Sequence, residues 1–367
     1  MSNLMTMEPP NPKFTWKTVV FPLLGLAGFF LYIYLFQVDI FGIAATLQTV
    51  NLLIFGLALA CGALEVFFYT ISWYSLTSHL DIKMSIKKAY LYVWYGLYVD
   101  IILPAESISG EVTRAYLLKR DRCAPFGKTV ASLFMHRILG MAMNVVILFL
   151  GIVLFSSESQ VDTVVFNLII TIAVGITALI IAMTVLAFKK NWMLKIIDSV
   201  ANFTQKISHG KWGNKFRGEA TKTAEHFHDS MSEYSHSPKP LAESLFFLAV
   251  TWFFSLSVPY LVFQSLGQPV PWSIILITSA IVLAVKSIPI GIPFEVGLPE
   301  ATMTTLYFSM GVTAQLAATA TILTRIITLW FRFAVGFASQ QYLELKPAFG
   351  TTADMEKTKN KPALNSS

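Results

Sequence analysis

Pro104-Ala-Glu-Ser-Ile-Ser-Gly-Glu-Val-Thr-Arg114 cuts into apolar sequence with a proline, a glycine, two glutamates and an arginine. A second stretch of the same character, Pro289-Ile-Gly-Ile-Pro-Phe-Glu-Val-Gly-Leu-Pro-Glu300, interrupts the other half of the chain. Glu111 and Glu300 are each followed, 26 and 25 residues later, by an arginine inside an apolar run, Arg137 and Arg325. An ionisable group within a membrane span costs at least ~2.5–3.5 kcal/mol on insertion scales, so one that is kept faces a partner or a cavity. Here the arrangement occurs twice.

The surrounding sequence identifies the solvent. Of 367 residues, 55% are hydrophobic and 13% charged, and the mean hydropathy of +0.62 lies far from that of soluble domains. Apolar runs near 18–36, 49–77, 129–155, 163–188, 241–266 and 312–342 reach the length needed to cross the membrane as helices, about 20 residues for a ~30 Å hydrocarbon core. They are continuous rather than alternating, which excludes barrel strands. The first run lacks a small-residue cleavage site and reads as a retained helix. Cys61 and Cys123 are far apart and give neither a disulfide framework nor metal-ligand spacing. No phosphate loop, nucleophile elbow, zinc signature or dinucleotide fingerprint occurs, so the expectation is no catalytic residues, no metal and no cofactor.

The net charge of +6 is carried largely in short connections beside helix ends, where it reports orientation and lipid contact rather than nucleic acid. Basic residues fall at Lys13 and Lys17, at Lys83, Lys87 and Lys88, at Lys119, Arg120, Arg122 and Lys128, through 189–239, and in the tail, whereas 37–48, 156–162 and 267–272 hold no Lys or Arg. Both termini are therefore expected in the cytoplasm, with the chain in the plasma membrane. Segment 86–118 then begins and ends inside and is broken at Pro104 and Gly110, while 271–310 begins and ends outside and is broken at Pro289, Gly291, Pro293 and Gly297. Each reads as a re-entrant hairpin whose irregular backbone lines an internal site.

The two halves keep one register. Ser85, Pro104, Glu111, Thr113, Leu117, Arg137 and Asn144 match Ser273, Pro293, Glu300, Thr302, Leu306, Arg325 and Arg332 at offsets of 188 or 189. Since one copy starts inside and the other outside, the expected fold is all-α and polytopic, with about six full transmembrane helices plus two re-entrant hairpins in an inverted repeat. The expected divisions are a disordered cytoplasmic 1–17, a transmembrane domain 18–342 and a disordered tail 343–367. Within the domain lie a first repeat at 49–155, a cytoplasmic amphipathic segment at 189–239 with an interfacial helix near 193–207, and a second repeat at 241–342.

The charged residues suggest a substrate. Glu111 and Arg114 are three apart and share a helix face. A half-helix starting near Ser107 or Ser109 would aim its free amides at a phosphate oxygen, and Arg114 with Arg137 would fork it. The second copy offers Glu295, Glu300, the amides after Gly297, and Arg325 with Arg332, seven residues on and expected on the same face. The simpler alternative is that Glu111–Arg137 and Glu300–Arg325 only neutralise each other and brace the hairpins. Asp100 is a candidate proton carrier, His136 a packing histidine beside Arg137, and His226, His228 and His236 a solvated surface rather than a metal site.

At Pro104–Arg114, Ala131-Ser-Leu-Phe-Met-His-Arg137, Pro289–Glu300, Gly311 and Thr324-Arg325 the chain resembles the lysylphosphatidylglycerol synthase transmembrane-domain family over about residues 18–342. Ser109-Gly110 stands where the family usually has Gly-Gly, and Pro299 precedes the second glutamate. The resemblance implies a flippase-like module that moves lipids with charged or polar headgroups between leaflets. Its lipid would be anionic or polyprenyl-linked, and a separately encoded lipid-modifying enzyme would be its partner. Bifunctional members carry a soluble aminoacyl-transferase domain; none is expected here, so the expectation is a translocase rather than a chemical catalyst. The alternative is a membrane-embedded transferase acting on a polyprenyl-phosphate or phospholipid, with Glu111 or Glu300 as general base.

Overall fold

The protein is seen in a computed structural model that describes residues 50–103, 108–158, 163–188, 213–286 and 297–344. Pro104, Glu106, Pro289, Gly291, Pro293, Glu295, the apolar run 18–36, the helix expected near 193–207, segment 1–17 and nearly all of the tail lie outside the described residues.

Every element among the described residues is helical. They are α1 (Leu52–His79), α2 (Ile86–Ile102), α3 (Ile108–Arg120), α4 (Phe126–Glu158), α5 (Thr163–Phe188), α6 (Gly213–His236), α7 (Pro238–Ser265), α8 (Trp272–Lys286), α9 (Leu298–Ser309) and α10 (Ala314–Arg325). The helix begun by α10 runs on through a wide π turn, Ile326–Phe331, to Glu344. Leu52–His79, Phe126–Phe155, Pro238–Ser265 and Ala314–Glu344 are long and apolar enough to cross a membrane. The apolar run at 163–188 is helical over its whole length. The chain is an all-α multi-pass membrane protein.

Local chemistry sets the helix starts. The Asn51 side chain accepts from the amides of Leu53 and Ile54 at 3.1 and 3.2 Å, and Ser85 accepts from the Lys88 amide at 3.3 Å, satisfying donors that have no partner in the first turn. Ahead of α9, Gly297 holds φ at 100°, a conformation that an L side chain resists. Lys119 and Arg120 end α3, where their charge suits the negative end of the helix dipole.

The same sequence of elements occurs twice, a long helix, a pair of short helices and a second long helix: α1, α2/α3, α4 and then α7, α8/α9, α10. The leading helices pack along each other, with the Ser72 hydroxyl against Ser244 at 2.9 Å. One helix of each short pair, α8 and α2, reaches across to the opposite half. α8 lies on α4 at Gly151, where an added Cβ would sit 2.9 Å from Ile277 Cγ1. α2 lies on the continuation of α10 at Gly336, where a Cβ would sit 2.6 Å from the Trp94 carbonyl oxygen. Trp94 and Tyr98 are wedged there among Phe331, Phe333 and Phe337.

α6 packs beneath α4 with Phe227 edge-on to Phe134, and its Tyr234 hydroxyl donates to the Leu76 carbonyl at 2.9 Å. The polar segment is thus helical over 213–236 and packed at Phe227 and Tyr234. Nearby, Asp121 accepts from the Tyr92 hydroxyl at 2.5 Å, Lys88 Nζ at 3.0 Å and Arg120 Nε at 3.2 Å, and Arg120 also pairs with Glu344 at 3.0 Å. This network ties α2 and the end of α3 to the last helix. Burial pushes the Asp121 carboxyl upward, but the three donors outweigh it and hold it below the usual aspartate range.

Candidate functional site

Two short helices each carry a glutamate in the first turn: Glu111 in α3 and Glu300 in α9. Arg137 and Arg325 are each the twelfth residue of their long helix, about 17 Å from its start at 1.5 Å per residue. Each arginine meets the glutamate of the preceding short pair. Arg137 Nη1 donates to Glu111 Oε1 at 3.0 Å, and Arg325 Nε donates to Glu300 Oε1 at 2.5 Å.

The two ion pairs differ in cover. Glu300 and Arg325 have side chains 3% and 6% exposed, whereas Glu111 and Arg137 are each 21% exposed. The second pair is sealed in protein, and the first opens on one side. A buried pair holds together because its charges answer each other where water cannot; neutralising one partner costs about 3–5 kcal/mol.

One backbone amide at each helix start is engaged by a carboxylate of the protein. The Gly110 amide donates to Asp100 Oδ1 at 2.6 Å, and the Ser109 hydroxyl donates to the same oxygen at 2.6 Å. The Gly297 amide donates to Glu300 Oε2 at 2.7 Å. Each helix N-terminus thus holds a carboxylate of the protein itself, a choice the helix dipole favours as much as it would a ligand. Asp100 braces the start of α3 from α2. Gly110 also sits so close to Gly96 and Asp100 that a Cβ would strike both, which accounts for glycine at that position.

A π turn separates Arg332 from Arg325. Seven residues would bring it onto the face of Arg325 in an unbroken α-helix, but the π turn between them takes up an extra residue, a rotation of about 100°. Arg332 Nη2 instead donates to Glu65 Oε2 of α1 at 2.5 Å, while Arg325 stays with Glu300. Glu65 was missed in the sequence because its partner lies 267 residues away; a lone acid inside the apolar run 49–77 was the available signal.

Arg114 is different again. It is 5% exposed, and its Nη1 makes no hydrogen bond. Its guanidinium carbon lies 5.0 Å from the ring centre of Trp73 and 5.7 Å from that of Tyr69. No carboxylate pairs with it among the described residues. His136 is set edge-on to Tyr69 at 4.6 Å with Nε2 3.1 Å from the Ser72 hydroxyl, and Trp73 Nε1 donates to Ser132 at 3.3 Å. Glu65, Tyr69 and Trp73 are four apart along α1, so one helix face carries the partner of Arg332 and both rings of the Arg114 cradle. Cation–π contact supplies about 2 kcal/mol when desolvated, against several kcal/mol to strip a guanidinium of water. The cradle offsets part of that cost and leaves Arg114 short of an anion.

Comparison with known proteins identifies the family. The family model described as "Lysylphosphatidylglycerol synthase TM region" matches residues 19–336. A UPF0104 membrane protein of Pyrococcus horikoshii is 22% identical over 285 residues, covering 76% of this chain and 84% of the relative. One of Methanothermobacter thermautotrophicus is 22% identical over 285 residues, covering 75% and 80%, and one of Methanocaldococcus jannaschii is 20% identical over 269 residues, covering 72% and 77%. The chain belongs to the lysylphosphatidylglycerol synthase TM-region family, as a membrane-embedded, flippase-like domain of several spans that associates with membrane lipids.

Proposed function

We propose that the chain binds a lipid with a phosphate-bearing or otherwise polar headgroup between the pairs α2/α3 and α8/α9 and carries it from one leaflet to the other. In this reading the pairs are re-entrant hairpins of an inverted repeat, the first repeat spanning 49–155 and the second 241–342, with both termini cytoplasmic. Pro104, Gly110, Pro289, Gly291, Pro293 and Gly297 mark the breaks that let backbone turn within the membrane. Glu111, Arg114, Arg137, Glu300, Arg325 and Arg332 surround the substrate path. The lipid is anionic or polyprenyl-linked, and a separately encoded enzyme would supply or consume it.

The observation that carries this reading is the Glu111–Arg137 pair. Its arginine sits well inside a helix long and apolar enough to cross a membrane, yet each side chain of the pair keeps 21% of its surface uncovered. A pair meant purely to brace a hairpin would be better shut, as Glu300–Arg325 is; an open one can exchange its carboxylate for a headgroup phosphate. The exchange of short helices between the halves supports a shared path, since moving either pair disturbs the other half's long helix. The test is a reconstituted flippase or scramblase assay on Arg137→Ala and Arg325→Ala, with Arg137→Lys as the conservative reference. Loss of transport in folded Arg137→Ala, partly restored by lysine, is expected. Wild-type rates in both alanine variants would remove these residues from the mechanism.

A further inference from the structure

The two halves fasten their short helices differently. In the second, Glu300 does both jobs: Oε2 accepts from the Gly297 amide at 2.7 Å and Oε1 from Arg325 Nε at 2.5 Å, so one sealed carboxylate joins the start of α9 to α10. The Thr304 hydroxyl donates to that of Thr321 at 3.2 Å and joins the same two helices again. In the first half the jobs are divided. Asp100 of α2 accepts from the Ser109 hydroxyl and the Gly110 amide, both at 2.6 Å, while Glu111 meets Arg137. The second half cannot copy this arrangement. At an offset of 189, Asp100 falls on Pro289 and Gly110 falls on Pro299, which has no amide hydrogen to give.

We propose that Asp100 is a positioning residue that makes α2 and α3 one body, and that this body swings away from α4 when Glu111 parts from Arg137, while α8/α9 stays fixed to α10. The inference rests on the translocation reading above and says which pair of short helices moves. Backbone contact already presses α2 on α3: a Cβ on Gly96 would lie 3.0 Å from the Gly110 carbonyl oxygen, and one on Gly110 would lie 2.7 Å from that of Gly96. With Asp100 spanning the same crossing, the start of α3 keeps its acceptor whether or not Glu111 holds Arg137. Parting that pair bares charges already 21% exposed, which water or a headgroup can answer. Parting Glu300 from Arg325 would instead strand a guanidinium only 6% exposed and pull on the start of α9 as well. α2 rests on the last helix past Arg325, at Gly336, so a swing there does not draw directly on the second pair.

The test is double electron–electron resonance on the full chain in vesicles of mixed anionic and zwitterionic phospholipid, in a Cys61→Ala/Cys123→Ala background. Spin labels go on exposed positions in three pairs: Lys87→Cys with Val112→Cys inside the first body, Val112→Cys with Phe253→Cys of α7, and Phe308→Cys of α9 with Phe253→Cys. The expected result is two distances for 112–253, differing by about 5 Å, and one distance each for 87–112 and 308–253. Glu111→Gln should raise the second 112–253 population about fivefold and leave 308–253 as it was. Asp100→Ala should split or broaden 87–112, and Asp100→Asn, which keeps an acceptor oxygen, should restore the single distance. The unsubstituted distances alone decide which pair moves, so the inference stays open to refutation even where Asp100→Ala does not fold. Equal shifts at 112 and 308, a shift at 308 alone, one distance at both, or a folded Asp100→Ala chain with 87–112 unchanged overturns it. Transport is read separately. An unmoved 112 with transport lost in Arg137→Ala removes this inference alone, whereas wild-type transport in Arg137→Ala and Arg325→Ala removes the reading beneath it whatever the distances show.

Discussion

Replacing Glu300 by glutamine keeps the side chain's shape and one carbonyl oxygen but takes the balancing charge from Arg325. Both side chains are sealed, at 3% and 6% exposure, and the contact is 2.5 Å. An uncompensated guanidinium in such a place costs about 3–5 kcal/mol. The same change at Glu111 strikes a pair with each member 21% exposed, where solvent screens the charge and the loss should be nearer about 1 kcal/mol. At roughly 2–4 °C per kcal/mol for a chain of a few hundred residues, Glu300→Gln should melt on the order of 10 °C lower and Glu111→Gln only about 2–4 °C lower. Cys61 and Cys123 are buried and free, so a thiol-reactive fluorescent dye follows unfolding in detergent directly. The double variant Glu300→Gln/Arg325→Met removes both charges and should recover most of the loss. The reasoning is refuted if Glu300→Gln melts no lower than Glu111→Gln, or if the double variant is as unstable as Glu300→Gln.

Two further outcomes follow from packing and charge. Alanine at Gly336 meets the Trp94 carbonyl oxygen and should cost about 1–3 kcal/mol, whereas alanine at Gly140, with nothing near its Cβ, should be neutral or stabilising by up to about 1 kcal/mol; dye-monitored melts of the two variants separate them. The Asp121 carboxyl is held below its ordinary value of about 3.9, so its contribution is present above that pH and lost as pH falls through the lower folded value. Melts from pH 7 to pH 3 should show this acid loss in the wild type and a smaller one in Asp121→Asn.

The long helices were legible because a span must be apolar over its length, and 49–77, 129–155, 241–266 and 312–342 all meet that demand within a few residues of the observed ends. The partnerships Glu111–Arg137 and Glu300–Arg325 were legible for the converse reason, that charge in such sequence needs an answer. What the sequence hid was direction. Nothing in Tyr69 or Trp73 marks an aromatic as the cradle of a cation rather than of lipid tails. Asp100 reads as a free carboxylate until α2 and α3 are folded side by side and Gly110 offers its amide. The wide turn ahead of Arg332 was not legible because it leaves no mark in apolar sequence, being set by what the helix packs against.

That turn at Ile326–Phe331 gives the last helix a spare residue of slack. Rewinding it to the ordinary pitch would swing everything beyond it by about 100°. Arg332 would leave Glu65, and Phe333, Gly336 and Phe337 would roll out from under Tyr98. Arg325, upstream of the slack, would keep its grip on Glu300. A single coil adjustment could thus unfasten one half of the molecule while the other stays clasped.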